Sequence, residues 1–207
     1  MTIDLGVLYR TCRERVTELV SGADPDLAVP ATPGWTVHDV IAHLSGISED
    51  AANGNMAGAP GEEWTGAQVT RHRDTPMADL LAMWGEYAPG MEAFFSSPNG
   101  AAMSAGVFDI HTHEADLRHA LGLPFHIPAD ALAWAGEHMR SGFAEAVAAA
   151  GLPPVELPIS DVEWFRARLG RRTEAEVRAF PWPADPEPYL DHFFIFGRAA
   201  HTLGEAA

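Results

Sequence analysis

The sequence predicts an all-α fold, a bundle of amphipathic helices followed by an irregular C-terminal extension. Three observations predict it. Apolar residues recur at helical spacing in several long segments, those segments are joined mainly by short Gly- and Pro-bearing connections, and the pattern fragments after Pro154. The chain has 207 residues, of which 47% are hydrophobic. That is enough for one generous domain with an appendage, and too apolar for a disordered chain. The expected division is a bundle over 1–153 and an extension packed on it over 154–207.

The first helix is expected from about Leu5 to Val20, where Leu5, Leu8, Cys12, Val16, Leu19 and Val20 form one stripe. Cys12 lies on that stripe and reads as a buried, inert thiol rather than a nucleophile. Residues 21–35 are a connection. Thr36 is a good N-cap for a second helix, with Asp39 three residues later completing a short variant of the capping box. That helix runs to about Ala52. Residues 53–75 hold five glycines or prolines and little periodicity, so they read as a long loop of lid or rim type. Trp64 within it either lines a pocket or tacks the loop down.

A third helix is expected from Pro76 to near Phe95 and a fourth from about Ala101 to Leu121, stopped by Gly122 and Pro124. A fifth spans about Ala129 to Ala150. In the tail, Val155–Ile159 reads as a short strand, Val162–Leu169 and Glu174–Phe180 as helical turns. The segment Tyr189–Phe196 carries Phe193, Phe194 and Phe196, which are expected to pack inward.

Charge narrows the function classes. There are 29 acidic against 13 basic side chains, a formal net charge of −16. Such a surface repels phosphate backbones and anionic lipid, so nucleic-acid and membrane-surface partners are disfavoured. A single cysteine rules out an intrachain disulfide and a cysteine-rich zinc site. The N-terminus does not read as a signal peptide and no apolar run reaches the roughly 20 residues of a membrane span. The expected location is cytoplasmic.

Most of the ten histidines read as surface or capping residues, His72, His126, His138, His192 and His201 among them. Two clusters differ. Asp109 and His113 are four apart and share one helical face, as two ligands to one ion must, whereas His111 and Glu114 fall on other faces. Trp35, Asp39 and His43 also recur every four residues. Asp39 there suits the helix dipole, and His43, between Ile41 and Leu44, is expected to be at least half buried and to need a partner. Two histidines and a carboxylate from two helices make a coherent open metal site, with room for water or substrate. Arg118, Arg171 and Arg172 can anchor an anionic group, although a structural contact on the same helix suits Arg118 better and a solvated ion-pair face suits the other two.

The segment Thr32-Pro33-Gly34-Trp35-Thr36-Val37-His38-Asp39-Val40-Ile41-Ala42-His43-Leu44 resembles the N-terminal signature of the mycothiol-dependent maleylpyruvate isomerase family, part of the DinB/YfiT-like superfamily. Phe108-Asp109-Ile110-His111-Thr112-His113-Glu114-Ala115-Asp116-Leu117-Arg118 is similar to the family's later helix, where an acidic ligand precedes a histidine by four and an aspartate follows. Gly170–Glu176 and Phe194–Gly197 look like the ends of many members.

The resemblance implies a DinB-like four-helix bundle whose divalent metal, zinc being the expected one, is held by His43, Asp109 and His113. The best-known member has glutamate as its acidic ligand; Asp109 is one methylene shorter. It further implies a thiol cosubstrate, mycothiol, bound to the metal as thiolate and used for S-transfer to, or isomerisation of, a small electrophile. Apart from the resemblance, Arg118 is the candidate cofactor-binding residue. A metal-dependent hydrolase of the same fold and a non-catalytic binding or stress module remain open alternatives. The oligomeric state is open as well, a dimer included.

Overall fold

A computed structural model describes residues 3–204. Among them the chain is all-α, with helices α1 (Leu5–Val20), α2 (Val37–Asn53), α3 (Glu62–Arg71), α4 (Met77–Phe95), α5 (Ala105–Ala120), α6 (Ala129–Ala149), α7 (Asp161–Arg168), α8 (Glu174–Arg178) and α9 (Glu187–Phe193). A 3-10 turn, Gly100–Met103, precedes α5. Two compact units result, the first ending at Leu123 and the second beginning at Pro124. Helix α6, placed with the bundle in the 1–153 expectation, packs in the second unit against α7 and α9.

The first unit is a four-helix bundle. Helix α1 packs on α4 and α5, α2 packs on α4 and more narrowly on α5, and α3 lies on α2. Leu8, Cys12 and Val16 of α1, Ile41 and Leu44 of α2, Leu80 and Trp84 of α4 and Ile110 of α5 are all buried. Tyr9 joins three of these helices, accepting a hydrogen bond from Trp84 Nε1 at 3.2 Å and sharing one with Ser48 Oγ at 3.2 Å. Burial pushes its phenol up to about 12.

The start of α2 follows from local chemistry. Thr32-Pro33-Gly34-Trp35 closes a turn through Trp35 N–H to Thr32 O at 3.0 Å, with Gly34 at φ +88. Proline second and a positive-φ glycine third is the type II pattern. Thr36 then caps the helix, and Thr36 and Asp39 form the reciprocal capping box that the sequence indicates. Thr36→Ala should cost about 1 kcal/mol of stability in urea unfolding, the usual value of such a cap; an unchanged midpoint would show the cap to be dispensable.

Three expectations need correction. The 53–75 loop contains α3, a helix with Glu62 and Glu63 in its first turn and Arg71 in its last. That charge order suits the helix dipole and substitutes for the weak apolar periodicity. Trp64 belongs to α3 and donates Nε1–H to Asn55 O at 2.9 Å, so it ties the preceding turn down. Val155–Ile159 forms no strand; Pro153, Pro154 and Pro158 remove the N–H groups a ladder requires. Phe193 is fully buried, against Phe143 and Trp164. Phe196 remains exposed, because α9 ends at Phe193 and the chain turns extended at Phe194.

The second unit has its own aromatic core. Arg168 is buried within it, donating to Phe193 O at 2.7 Å and Met139 O at 2.6 Å. Burial draws this guanidinium down to about 10.

Candidate metal centre

Helix α2 carries His43 on its buried side, and α5 carries Asp109 and His113 one turn apart. His43 and His113 are 4% and 6% exposed, and the Asp109 side chain is 28% exposed. The two rings meet edge to face with centroids 5.3 Å apart. His43 Nε2 lies 3.3 Å from Asp109 Oδ2, and His113 Nε2 lies 3.6 Å from Asp109 Oδ1. One ligand atom from each residue falls within 4.8 Å of the other two. Two imidazole nitrogens and one carboxylate oxygen at that spacing suit a zinc-type divalent ion and leave a coordination position for a fourth ligand.

The far nitrogens of both rings strengthen the fit. His43 Nδ1 is 2.8 Å from Gln68 Oε1. His113 Nδ1 is 3.2 Å from Asp116 Oδ2, an ion-pair distance with the N–H off the line of a hydrogen bond. Metal-binding histidines typically turn the second nitrogen to an oxygen acceptor, which orients the ring. Asp116 is fully buried, and Gln68 is fully buried under α3.

Trp35 forms a wall beside the cluster. Its ring stacks over His113 at a centroid distance of 6.2 Å and tilts toward His43 at 5.4 Å. The turn at Pro33-Gly34 and the cap at Thr36 put it there. Asp39, on the same stripe in the sequence, is occupied by the capping box.

On another face of α5, Glu114 is held to α1. Arg15 grips it through Nε at 2.9 Å and Nη2 at 2.7 Å, and Cys12 Sγ donates to it at 3.1 Å. Burial would raise the Glu114 carboxyl, but the hydrogen bonds and charge of Arg15 outweigh burial and hold it below the ordinary glutamate range. Burial and then the Glu114 charge push the Cys12 thiol well up, so this cysteine is inert, as its place on the apolar stripe suggests. Arg118 donates to Glu114 at 3.3 Å. This is the structural contact on the same helix expected for Arg118, delivered by the i,i+4 spacing. His111 turns Nδ1 back to Val107 O at 2.8 Å.

Gln68 and Arg71 are neighbours of the centre that sequence reasoning overlooks because α3 itself is overlooked, and Asp50 of α2 goes unnoticed because both its partners lie on α3. His72 closes α3 as its C-cap and is buried against Glu49 at 2.9 Å, a capping histidine but not a surface one. Arg171 and Arg172 belong to the second unit, where Arg172 grips Glu163 through two bonds of 3.0 and 2.8 Å.

Residues 9–105 match the family model described as mycothiol maleylpyruvate isomerase N-terminal domain. No curated protein and no solved structure matches the chain. The matched segment contains His43 and Trp35 and ends where α5 begins, so Asp109 and His113 join the cluster by geometry rather than by the match.

Proposed function

We propose that the match of residues 9–105 places the chain in the mycothiol maleylpyruvate isomerase N-terminal domain family, within the DinB-like superfamily, and that the chain is a metal-dependent thiol S-transferase or isomerase acting on a small electrophile. The observation that carries the proposal is that His43, Asp109 and His113 each offer a ligand atom within 4.8 Å of the other two, with both Nε2 atoms turned to the Asp109 carboxylate. The thiol is of the mycothiol class, a cysteine joined to a sugar. When bound, the divalent metal supplies a Lewis acid that keeps a thiol in its thiolate form near neutral pH.

The residues of the chain account for the rest. Two neutral imidazoles and one carboxylate reduce a divalent charge to about +1, which a thiolate cancels. Cys12, the single cysteine, is buried and bonded to Glu114, so the reacting sulfur has to come from a cosubstrate. Trp35 borders the cluster and shields one side from water. In isomerisation, the thiolate sulfur adds to one carbon of an activated alkene and the π pair moves onto the activating group; the resulting single bond rotates, the pair returns, and expulsion of the thiolate regenerates the double bond. In transfer, the carbon–sulfur bond is kept and the leaving group departs with its electron pair.

Cobalt(II)-loaded protein mixed with a cysteine glycoside should develop sulfur-to-metal charge-transfer absorption in the near ultraviolet, and the alcohol analogue should not. An unchanged spectrum at saturating thiol would sink the thiol reading and leave activation of water, a hydrolase, as the use of the same centre. No helix among the described residues is long and apolar enough to cross a membrane.

A further inference from the structure

A line of hydrogen bonds, buried at Gln68 and Asp50, runs from His43 to the guanidinium of Arg71 on α3. Arg71 Nη2 donates to Asp50 Oδ1 at 2.9 Å, and Gln68 Nε2 donates to Asp50 Oδ2 at 2.9 Å. Gln68 Oε1 faces His43 Nδ1 at 2.8 Å. Asp50 is 2% exposed and Gln68 is fully buried, so water cannot replace these partners.

The polarity of each link is imposed from the Arg71 end. A guanidinium only donates, and a carboxylate paired with it only accepts. Gln68 must therefore give its NH2 group to Asp50, which turns its carbonyl oxygen to His43. An oxygen there accepts only, so His43 must carry its proton on Nδ1. Its lone pair is then on Nε2, the nitrogen 3.3 Å from Asp109. An unconstrained neutral imidazole can carry the proton on either nitrogen, and one protonated on Nε2 cannot ligate through it.

We propose that Asp50, acting through Gln68, is a positioning device that locks neutral His43 in the Nδ1–H tautomer and aims its Nε2 lone pair at a divalent cation before the cation arrives. This rests on the metal-centre part of the functional reading and not on the thiol chemistry. Gly46 on α2 makes the arrangement sterically possible. A Cβ there would lie 2.9 Å from Gln68 Cβ and 3.0 Å from its Cγ. The clash falls on the root of the side chain rather than its tip, so α3 would have to move. Alanine ordinarily favours a helix over glycine; here it displaces Gln68.

Asp50→Asn inverts the line. The single oxygen of the asparagine is taken by Arg71, its NH2 faces Gln68, and Gln68 turns over to present its own NH2 to His43. Nitrogen-15 correlation spectra of metal-free protein, at a pH where His43 is neutral, should show the Nδ1–H tautomer in the wild type and the Nε2–H tautomer in Asp50→Asn. Zinc affinity, read by chelator competition, should fall about 10–100-fold in Asp50→Asn, Gln68→Met and Gly46→Ala, the usual cost of removing a partner behind a metal ligand.

An Nε2–H tautomer in the wild type overturns the proposal, and that reading needs no variant to fold. So does an Asp50→Asn protein that keeps both the wild-type tautomer and the wild-type zinc affinity. A wild type that binds no zinc overturns it together with the metal reading. Protein that shows the Nδ1–H tautomer and the affinity losses, yet gives no cobalt spectrum with thiol, keeps the device and loses only the thiol chemistry.

Discussion

His43→Ala is expected to lose divalent-metal binding more completely than any change behind the ligands, by well over the roughly 100-fold upper range for such changes. His43 is the single candidate ligand on α2; Asp109 and His113 both lie on α5. Without it the two remaining donors sit on one helical face and cannot close around an ion. Zinc titration against a competing chelator reads the effect, and thiol-dependent turnover should vanish with the metal. His111→Ala is the internal control. Its ring bonds back to the backbone of its own helix at Val107, so zinc affinity should stay near wild type. Full zinc occupancy in His43→Ala, or loss of zinc in His111→Ala, would require another ligand set.

Glu114→Ala carries the largest expected effect on stability, about 3–5 kcal/mol, the range for breaking a buried ion pair from one side. The carboxylate is fully buried, and its loss strands Arg15 and Arg118 as well as the Cys12 thiol. The same change frees the face of α5 that packs on α1, so the register of Asp109 and His113 should loosen and zinc affinity should fall with stability. The pH dependence has a definite sign. A carboxyl held below its unfolded value contributes stability that is complete above that value, 4.5 for glutamate, and lost as pH falls from there through the lower folded value. Denaturant unfolding of the wild type should therefore weaken on acidification below about pH 4.5, and Glu114→Ala should show a smaller slope over that interval. Equal slopes would show that other carboxyls dominate acid unfolding.

Features with a local cause are legible in the sequence. The Leu5–Val20 helix is visible because its apolar stripe is regular. The start of α2 is visible because Thr36 and Asp39 cap it through bonds three residues long. The Asp109–His113 pair is visible because i,i+4 spacing puts both on one face whatever surrounds the helix. Cys12 reads as inert from its position on the stripe. Helix α3 escapes notice because its apolar periodicity is weak and its glycine-rich flanks resemble a loop; the acidic first turn and basic last turn are the signal that finds it.

The sequence by itself determined an all-α chain, the caps and turns of its helices, and three residues of ligand type on two of them. The tertiary structure alone decided that these residues meet, since α2 and α5 are joined through packing with α1 and α4 and not through anything local. It also decided which neighbours stand behind the candidate ligands. Gln68 reaches His43 only because Gly46 lets α3 close on α2, and Glu114, on another face of α5, is anchored to α1 by Arg15. Hydrogen-bond polarity and packing clearance depend on distances between segments far apart in the chain, and spacing along one helix carries no information about them.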